Sequence, residues 1–315
     1  FVELCFPGRF VHIHRARKDG VLGEDHDVGL GISQVENGQG LAEHQAIIDS
    51  LNREQNIMDQ PKAGRGEWAD GLDVPRLSSD KAEVLFHAGC RSSYDPDLQQ
   101  SARAAVMLLK NAGVDIGIMG DQEVCCAGRV YSMGYKDEFA RFARANMNIW
   151  AKAGVKTVVT SCADGYHAFK RLYPELGVQV EVLHTVEFID RLIKEGELSF
   201  RTEIPMTVTY HDPCQIARNA GVIDEPRYIL RHLTDDYREL TDDPRYNWCC
   251  GGGGGLVAMG EDTLDFRMKS ASVKRDQVNA TGAKTLATAC ENCHAQLSNL
   301  NDHYQMGVEV KFLSS

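Results

Sequence analysis

His211-Asp-Pro-Cys214, Trp248-Cys-Cys-Gly-Gly-Gly-Gly-Gly255 and Ala289-Cys290-Glu-Asn-Cys293 are three pieces of one cysteine pattern in the later half of this 315-residue chain, and each has an earlier counterpart. His87-Ala-Gly-Cys90, Val124-Cys-Cys-Ala-Gly128 and Ser161-Cys162-Ala-Asp-Gly165 follow one another in the same order. His87, Cys90, Cys125 and Cys126 map onto His211, Cys214, Cys249 and Cys250 by a single shift, from 90 to 214. Ten cysteines placed at random would give roughly 0.3 adjacent pairs, so two pairs in register mark a duplication. The likeness runs past the thiols. Gly154-Val-Lys-Thr-Val-Val-Thr-Ser-Cys162 matches Gly282-Ala-Lys-Thr-Leu-Ala-Thr-Ala-Cys290, and Gly177-Val-Gln-Val-Glu-Val-Leu183 matches Gly307-Val-Glu-Val-Lys-Phe-Leu313.

Working outward, short apolar runs at 84–87, 114–119, 155–160, 178–183, 206–210, 284–289 and 308–313 read as buried strands. They alternate with helical patterns, which predicts an α/β fold of two tandem, pseudo-symmetric domains with largely parallel sheets. Asp95-Pro96 is a helix start, Asp as N-cap and Pro in the first turn, running to Asn111. Asp137 to Ala153 repeats the pattern, and 224–234, 261–280 and 291–304 are the helices of the later copy. This places the first domain at 83–203 and the second at 204–315. Residues 1–82 are Gly-rich and polar, with one helix near 40–58 and a linker-like Pro61-Lys-Ala-Gly-Arg-Gly66. They read as an irregular, wrapping extension. The first copy continues into the helical Thr185 to Leu192, whereas the second stops short of its counterpart, and Phe1 is not an initiator Met. Further chain is therefore expected at both ends, and Cys5-Phe-Pro7 could close a lost ferredoxin-like element.

A net charge of −11 argues against nucleic acid or an anionic lipid surface as the main partner. The one basic cluster, Arg9 to Lys18, reads as a solvated or subunit-facing segment. No long apolar run or signal-peptide pattern is present, so a cytoplasmic protein is expected. In that compartment thiols stay reduced, and dense cysteine points to metal or redox chemistry. Adjacent cysteines make a poor disulfide, so chelation is the better use. Soft thiolates select iron–sulfur clusters or zinc, and the five of the second series, Cys214, Cys249, Cys250, Cys290 and Cys293, exceed the four of a structural zinc. The glycines from Gly251 onward would let backbone N–H groups approach sulfur. A phosphate-cradling loop is the weaker rival reading, because no Gly-Lys-Ser/Thr ending follows and no Rossmann Gly-x-Gly-x-x-Gly context precedes the run.

His87 and His211 precede the first cysteine of each series; they, with Asp212, are candidate proton donors beside a metal group, against a reading as hydrogen-bonded strand-end residues. In the first series Gly165 stands where Cys293 stands in the second. Cys90, Cys125, Cys126 and Cys162 could hold a second iron–sulfur cluster or zinc, or be a vestige.

These motifs resemble the CCG, or cysteine-rich, domain of the catalytic subunit of heterodisulfide reductase and its relatives, over residues 83–315. The resemblance implies a noncubane [4Fe–4S] cluster ligated by Cys214, Cys249, Cys250, Cys290 and Cys293, with Gly251 beside it. It further implies an oxidoreductase subunit of a respiratory electron-transfer complex, on the cytoplasmic face of a membrane that it meets only through partner subunits. Those partners would be ferredoxin-like proteins, a membrane cytochrome or a flavoprotein. A cluster partner of a flavin-dependent 2-hydroxyacid oxidase, or a zinc-stabilised interaction module, are the other readings. Gly165 departs from the family pattern and puts a symmetric two-cluster cleavage of a disulfide in doubt.

Overall fold

The computed structural model describes residues 2–6, 9–13, 32–177, 179–200 and 204–314. The side chain of Cys5 and residues 14–18 of the basic cluster lie outside the described residues. Strands β1 (Val2–Phe6) and β2 (Arg9–Ile13) pair antiparallel. Helix α1 (His44–Glu54) buries Ile47, Ile48 and Leu51 against the first domain.

The first domain holds β3 (Val84–His87), β4 (Ile116–Gly117), β5 (Thr157–Thr160) and β6 (Glu181–His184), all parallel, in the order β4-β3-β5-β6. The second holds β7 (Val208–His211), β8 (Thr285–Thr288) and β9 (Glu309–Phe312), also parallel. Tyr237 bridges Val208 where β4 would sit, so the second sheet repeats the first with its edge strand worn down to one bridge.

Both faces of the first sheet are covered, which is why its strands are apolar throughout. Successive side chains point to opposite faces. Leu85, Val158 and Val182 join the larger core, whereas Val84, Phe86, Val159 and Leu183 pack with Trp68 and with Ala102, Ala105, Val106 and Leu109. These last four lie on α2 (Pro96–Asn111), whose N-cap Asp95 accepts a bond from the Asp97 N–H as expected. Helix α3 (Lys136–Ala153) ends on Gly154 at φ 72°, a left-handed turn that suits glycine.

Two elements differ from expectation. Pro61 to Gly66 is no linker: a 3-10 helix over Lys62–Ala69 buries Arg65, Gly66 and Trp68, driven by packing of the indole on Phe86 and by a long-range ion pair described below. The single helix expected over 261–280 is broken into a 3-10 segment Leu256–Thr263, then α4 (Leu264–Ser270) and α5 (Ser272–Thr281). Gly260, at φ 61° and ψ −132°, kinks the 3-10 segment, and the break between α4 and α5 falls at Ala271.

Candidate functional site

Cys90, Cys162, Cys214 and Cys290 each follow the C-terminal end of a parallel strand, the edge where α/β folds gather ligands. Because β3 neighbours β5 and β7 neighbours β8, the first and last motifs of each series meet. The paired cysteines arrive on loops held from behind. Asn146 Nδ2 donates to the Cys125 carbonyl at 3.0 Å and the Tyr173 hydroxyl to that of Cys126 at 3.1 Å. The residue after each pair is left-handed, Ala127 at φ 56° and Gly251 at φ 87°, and its N–H points at the first sulfur of the pair, 3.4 Å away in both copies.

All five thiols of the second series are in one connected chain. The Cys214 and Cys250 thiols hydrogen-bond Cys249, Cys250 Sγ lies 3.4 Å from Cys293 Sγ, and Cys293 bonds Cys290 in turn. They line one cavity together with Arg129, Asp164 and Asn292. The hydrogen bonds from Cys214 and Cys250, with the Gly251 N–H, hold the Cys249 thiol well below its ordinary range. The Cys249 contact pushes Cys250 well above it, and the Cys250 and Cys290 contacts do the same to Cys293, so negative charge concentrates on Cys249.

His211 is fully buried, with a ring nitrogen within 4.8 Å of both Cys250 Sγ and Cys293 Sγ. Neither ring nitrogen has a hydrogen-bond partner, and burial, reinforced by Lys274, keeps the imidazole neutral. Asp212 is turned elsewhere. Its carboxylate forms a two-pronged pair with Arg227 at 2.8 Å on each arm, and Arg227 also bonds Glu239. His87 has its Nε2 3.1 Å from the Val124 carbonyl and its ring edge-on to Phe169, and it lines the cavity of the first series.

Three groups escaped sequence reasoning. Lys274 on α5 is buried beside the second series, bonds Asn247 Oδ1 at 2.6 Å, and is pushed down to about 8 by burial. Arg65, 1% exposed, lies with both terminal nitrogens 3.6 Å from Cys90 Sγ and is paired to Glu123 at 2.9 Å. Glu123 also accepts from the Ala88 and Gly89 N–H groups at 3.0 Å. Glu291, from the second series, lies instead in the cavity of the first, which Cys90, Cys125, Cys126 and Cys162 line with it. Burial raises its carboxyl to about 8. Only Glu291 had a sequence signal, its place inside the Cys290-to-Cys293 motif; the other two are brought in by contacts between distant segments.

The donors suit an iron–sulfur group. Five soft sulfurs in contact, a backbone N–H on one of them, and an orphaned ring nitrogen facing two others form a set that the protein alone leaves unsatisfied. Glycine at 252 is also required, because a Cβ there would stand 2.7 Å from Val257 Cγ2.

Fold and site together define an iron–sulfur type of protein built from a duplicated parallel α/β unit, with a thiol nest at the strand ends of each copy. The chain belongs to the CCG family, the cysteine-rich domain, whose profile matches residues 84–170 and 208–298. It is similar to one of the subunits of the dihydromethanophenazine:CoB–CoM heterodisulfide reductase of Methanosarcina mazei, 34% identical over 74% of this chain and 57% of that one. It is also similar to the EtfAB:quinone oxidoreductase of Syntrophomonas wolfei, 28% identical over 83% of this chain and 38% of that one. A third relative, a probable iron–sulfur-binding oxidoreductase of Bacillus subtilis, is 30% identical over 83% of this chain and 38% of its own. The chain thus spans about half or less of each relative's length. No helix among the described residues is long and apolar enough to cross a membrane.

Proposed function

We propose that this chain is the iron–sulfur subunit of an electron-transfer complex, and that Cys214, Cys249, Cys250, Cys290 and Cys293 hold a noncubane [4Fe–4S] cluster at the second site. The observation that carries this reading is the unbroken run of five thiols beside an unpartnered, neutral His211. Such a cluster supplies one-electron steps to a thiol/disulfide couple or a redox partner. The chain's own residues set its surroundings. The Gly251 N–H stabilises charge on the Cys249 sulfur, and Lys274 adds a cation behind it. His211, neutral and with one N–H to give, is placed to hold a proton next to the Cys250 and Cys293 sulfurs. Asp212 acts at one remove, since Arg227 and Asn247 grip it and fix the loop that carries Cys214.

The names of the relatives, a quinone oxidoreductase and a heterodisulfide reductase subunit, support redox subunits as partners, among them a flavoprotein or a membrane cytochrome. The test is metal analysis of protein purified without oxygen, with electron paramagnetic resonance after thiol oxidation. Iron with acid-labile sulfide is expected, together with a signal that Cys250→Ala removes and replacement of Cys5 leaves. Protein with zinc in place of iron at the second site would sink the reading.

A further inference from the structure

The two repeats exchange one position. Glu291 and its repeat counterpart Ala163 each follow the first cysteine of their last motif, yet Ala163 lines the second cavity and Glu291 the first. The first cavity is also the one that lacks a thiolate, since Gly165 stands where the second series has Cys293. Space is not the reason, for a Cβ at Gly165 would meet its neighbours at 3.5 Å or more, in ordinary contact.

Glu291 is 2% exposed, and the hydroxyl of Ser92 donates to its Oε1 at 2.7 Å. Among the described residues no cation stands within ion-pair distance of it. Both its carboxylate oxygens lie 3.8 Å from the point where a Gly89 Cβ would be, and Cys162 Cβ lies 3.6 Å from that same point. A carboxylate buried beside four thiols, with the Ser92 hydroxyl as its hydrogen-bond partner and the Arg91 guanidinium acting on it from beyond ion-pair distance, stays ionised only at a cost unless a further cation joins them. The Cys90 and Cys126 thiols each hydrogen-bond Cys125, so three sulfurs of the first series are already gathered beside this carboxylate.

We propose that the second repeat completes the first site: Glu291 is an oxygen donor, in place of the thiolate missing at Gly165, to an iron–sulfur cluster held by Cys90, Cys125, Cys126 and Cys162. This rests on the reading of the chain as an iron–sulfur subunit and adds a second cluster with mixed sulfur and oxygen ligation. A carboxylate is a harder and more weakly held ligand on iron than a thiolate, which makes that iron distinct from the others.

The experiment uses the full chain carrying Cys250→Ala, which empties the second site. Iron, zinc and acid-labile sulfide are counted, the Mössbauer spectrum is recorded, and iron retention is followed against a competing chelator. About half of the wild-type iron is expected to remain. Adding Glu291→Gln, which keeps size and the Ser92 contact, is expected to lower the chelator concentration needed by at least about tenfold and to change the spectrum. Ser92→Ala, which removes only the hydrogen bond, leaves both unchanged. Glu291→Ala behaves as Glu291→Gln, and Gly165→Cys added to it restores retention, a rescue that a merely structural glutamate would not show. Unchanged retention and spectrum in Glu291→Gln would overturn the proposal, as would zinc at the first site. Wild-type protein with iron but a Cys250→Ala variant with none would overturn it too, while leaving the function of the second site intact. Wild-type protein with no iron would defeat both.

Discussion

Replacing Arg65 by Met tests whether the segment before the first domain is part of the first cysteine site. The guanidinium is buried and bonds Glu123 through Nε at 3.1 Å and a terminal nitrogen at 2.9 Å. Its removal leaves the Glu123 carboxylate, 4% exposed, with the Ala88 and Gly89 N–H groups and the His87 ring 3.8 Å away. Breaking one partner out of a buried pair costs about 3–5 kcal/mol. The pair of Glu123 and His87 relieves the loss by taking up a proton, and the carboxyl's own protonation sets an upper bound on the cost. At pH 7 that route costs about 3.7 kcal/mol for a group of ordinary pKa about 4.3, at about 1.36 kcal/mol per unit, so it caps the electrostatic loss. A destabilisation of about 3–4 kcal/mol is expected at pH 7, shrinking to about 1 kcal/mol plus lost packing at pH 5. The double variant Arg65→Met/Glu123→Gln carries no stranded charge and should recover most of the loss. Urea unfolding of reduced protein, followed by tryptophan fluorescence, measures each arm. A loss below about 1 kcal/mol in Arg65→Met, or a double variant no better than the single one, would refute the reasoning and return this segment to the status of a linker.

The glycine run should be uneven in its tolerance. Gly252→Ala drives a methyl to 2.7 Å from Val257 Cγ2 and 3.0 Å from Gln296 Cβ, so a cost of about 1–3 kcal/mol and poorer iron retention are expected. Gly253→Ala meets open space and should stay within about 0.5 kcal/mol in the same unfolding assay. His184 caps the helix Thr185–Glu195 by accepting the Val186 N–H at Nδ1, and burial lowers its pKa to about 4. The unfolded chain, near 6.5, binds the proton first, so stability is present above about pH 6.5 and is lost as pH falls towards 4, by up to about 3 kcal/mol. His184→Asn keeps a capping acceptor without the titration, and melting temperature against pH should show a flatter acid limb; an unchanged limb would exclude His184 as its source.

All seven expected strand runs of the two domains became strands; in the first sheet cores on both faces leave a continuous apolar run no other stable place, whereas β9 keeps Glu309 exposed. The run at 114–119 shrank to Ile116–Gly117 for a local reason: beyond it, Ile118 pairs with Arg76 of the extension. Arg65 and Lys274 were illegible for the opposite reason. A buried cation looks like a surface one until its partner is known, and Glu123 lies 58 positions from Arg65 in sequence. Asp212 stood out beside the motif cysteines, but its two-pronged pair with Arg227, 15 positions on, could not be read from the motif.

The repeat itself explains why the two sites depart from each other without either coming apart. Arg129, Asp164 and Asn292 line both cavities, so the sites share a wall rather than standing as separate copies. Arg129 is buried, pairs with Asp164 at 3.1 Å, and its charge is felt by Cys162 on one side and Cys290 on the other. Two thiolate nests this close would repel one another across a low-dielectric wall, and a single cation between them lowers that cost for both. Loss of a thiolate at Gly165 reduces the charge on one side only. A carboxylate from the other repeat, ionised once a metal draws off its proton, would restore the charge without adding a sulfur, so the asymmetry in ligand type need not be an asymmetry in electrostatics.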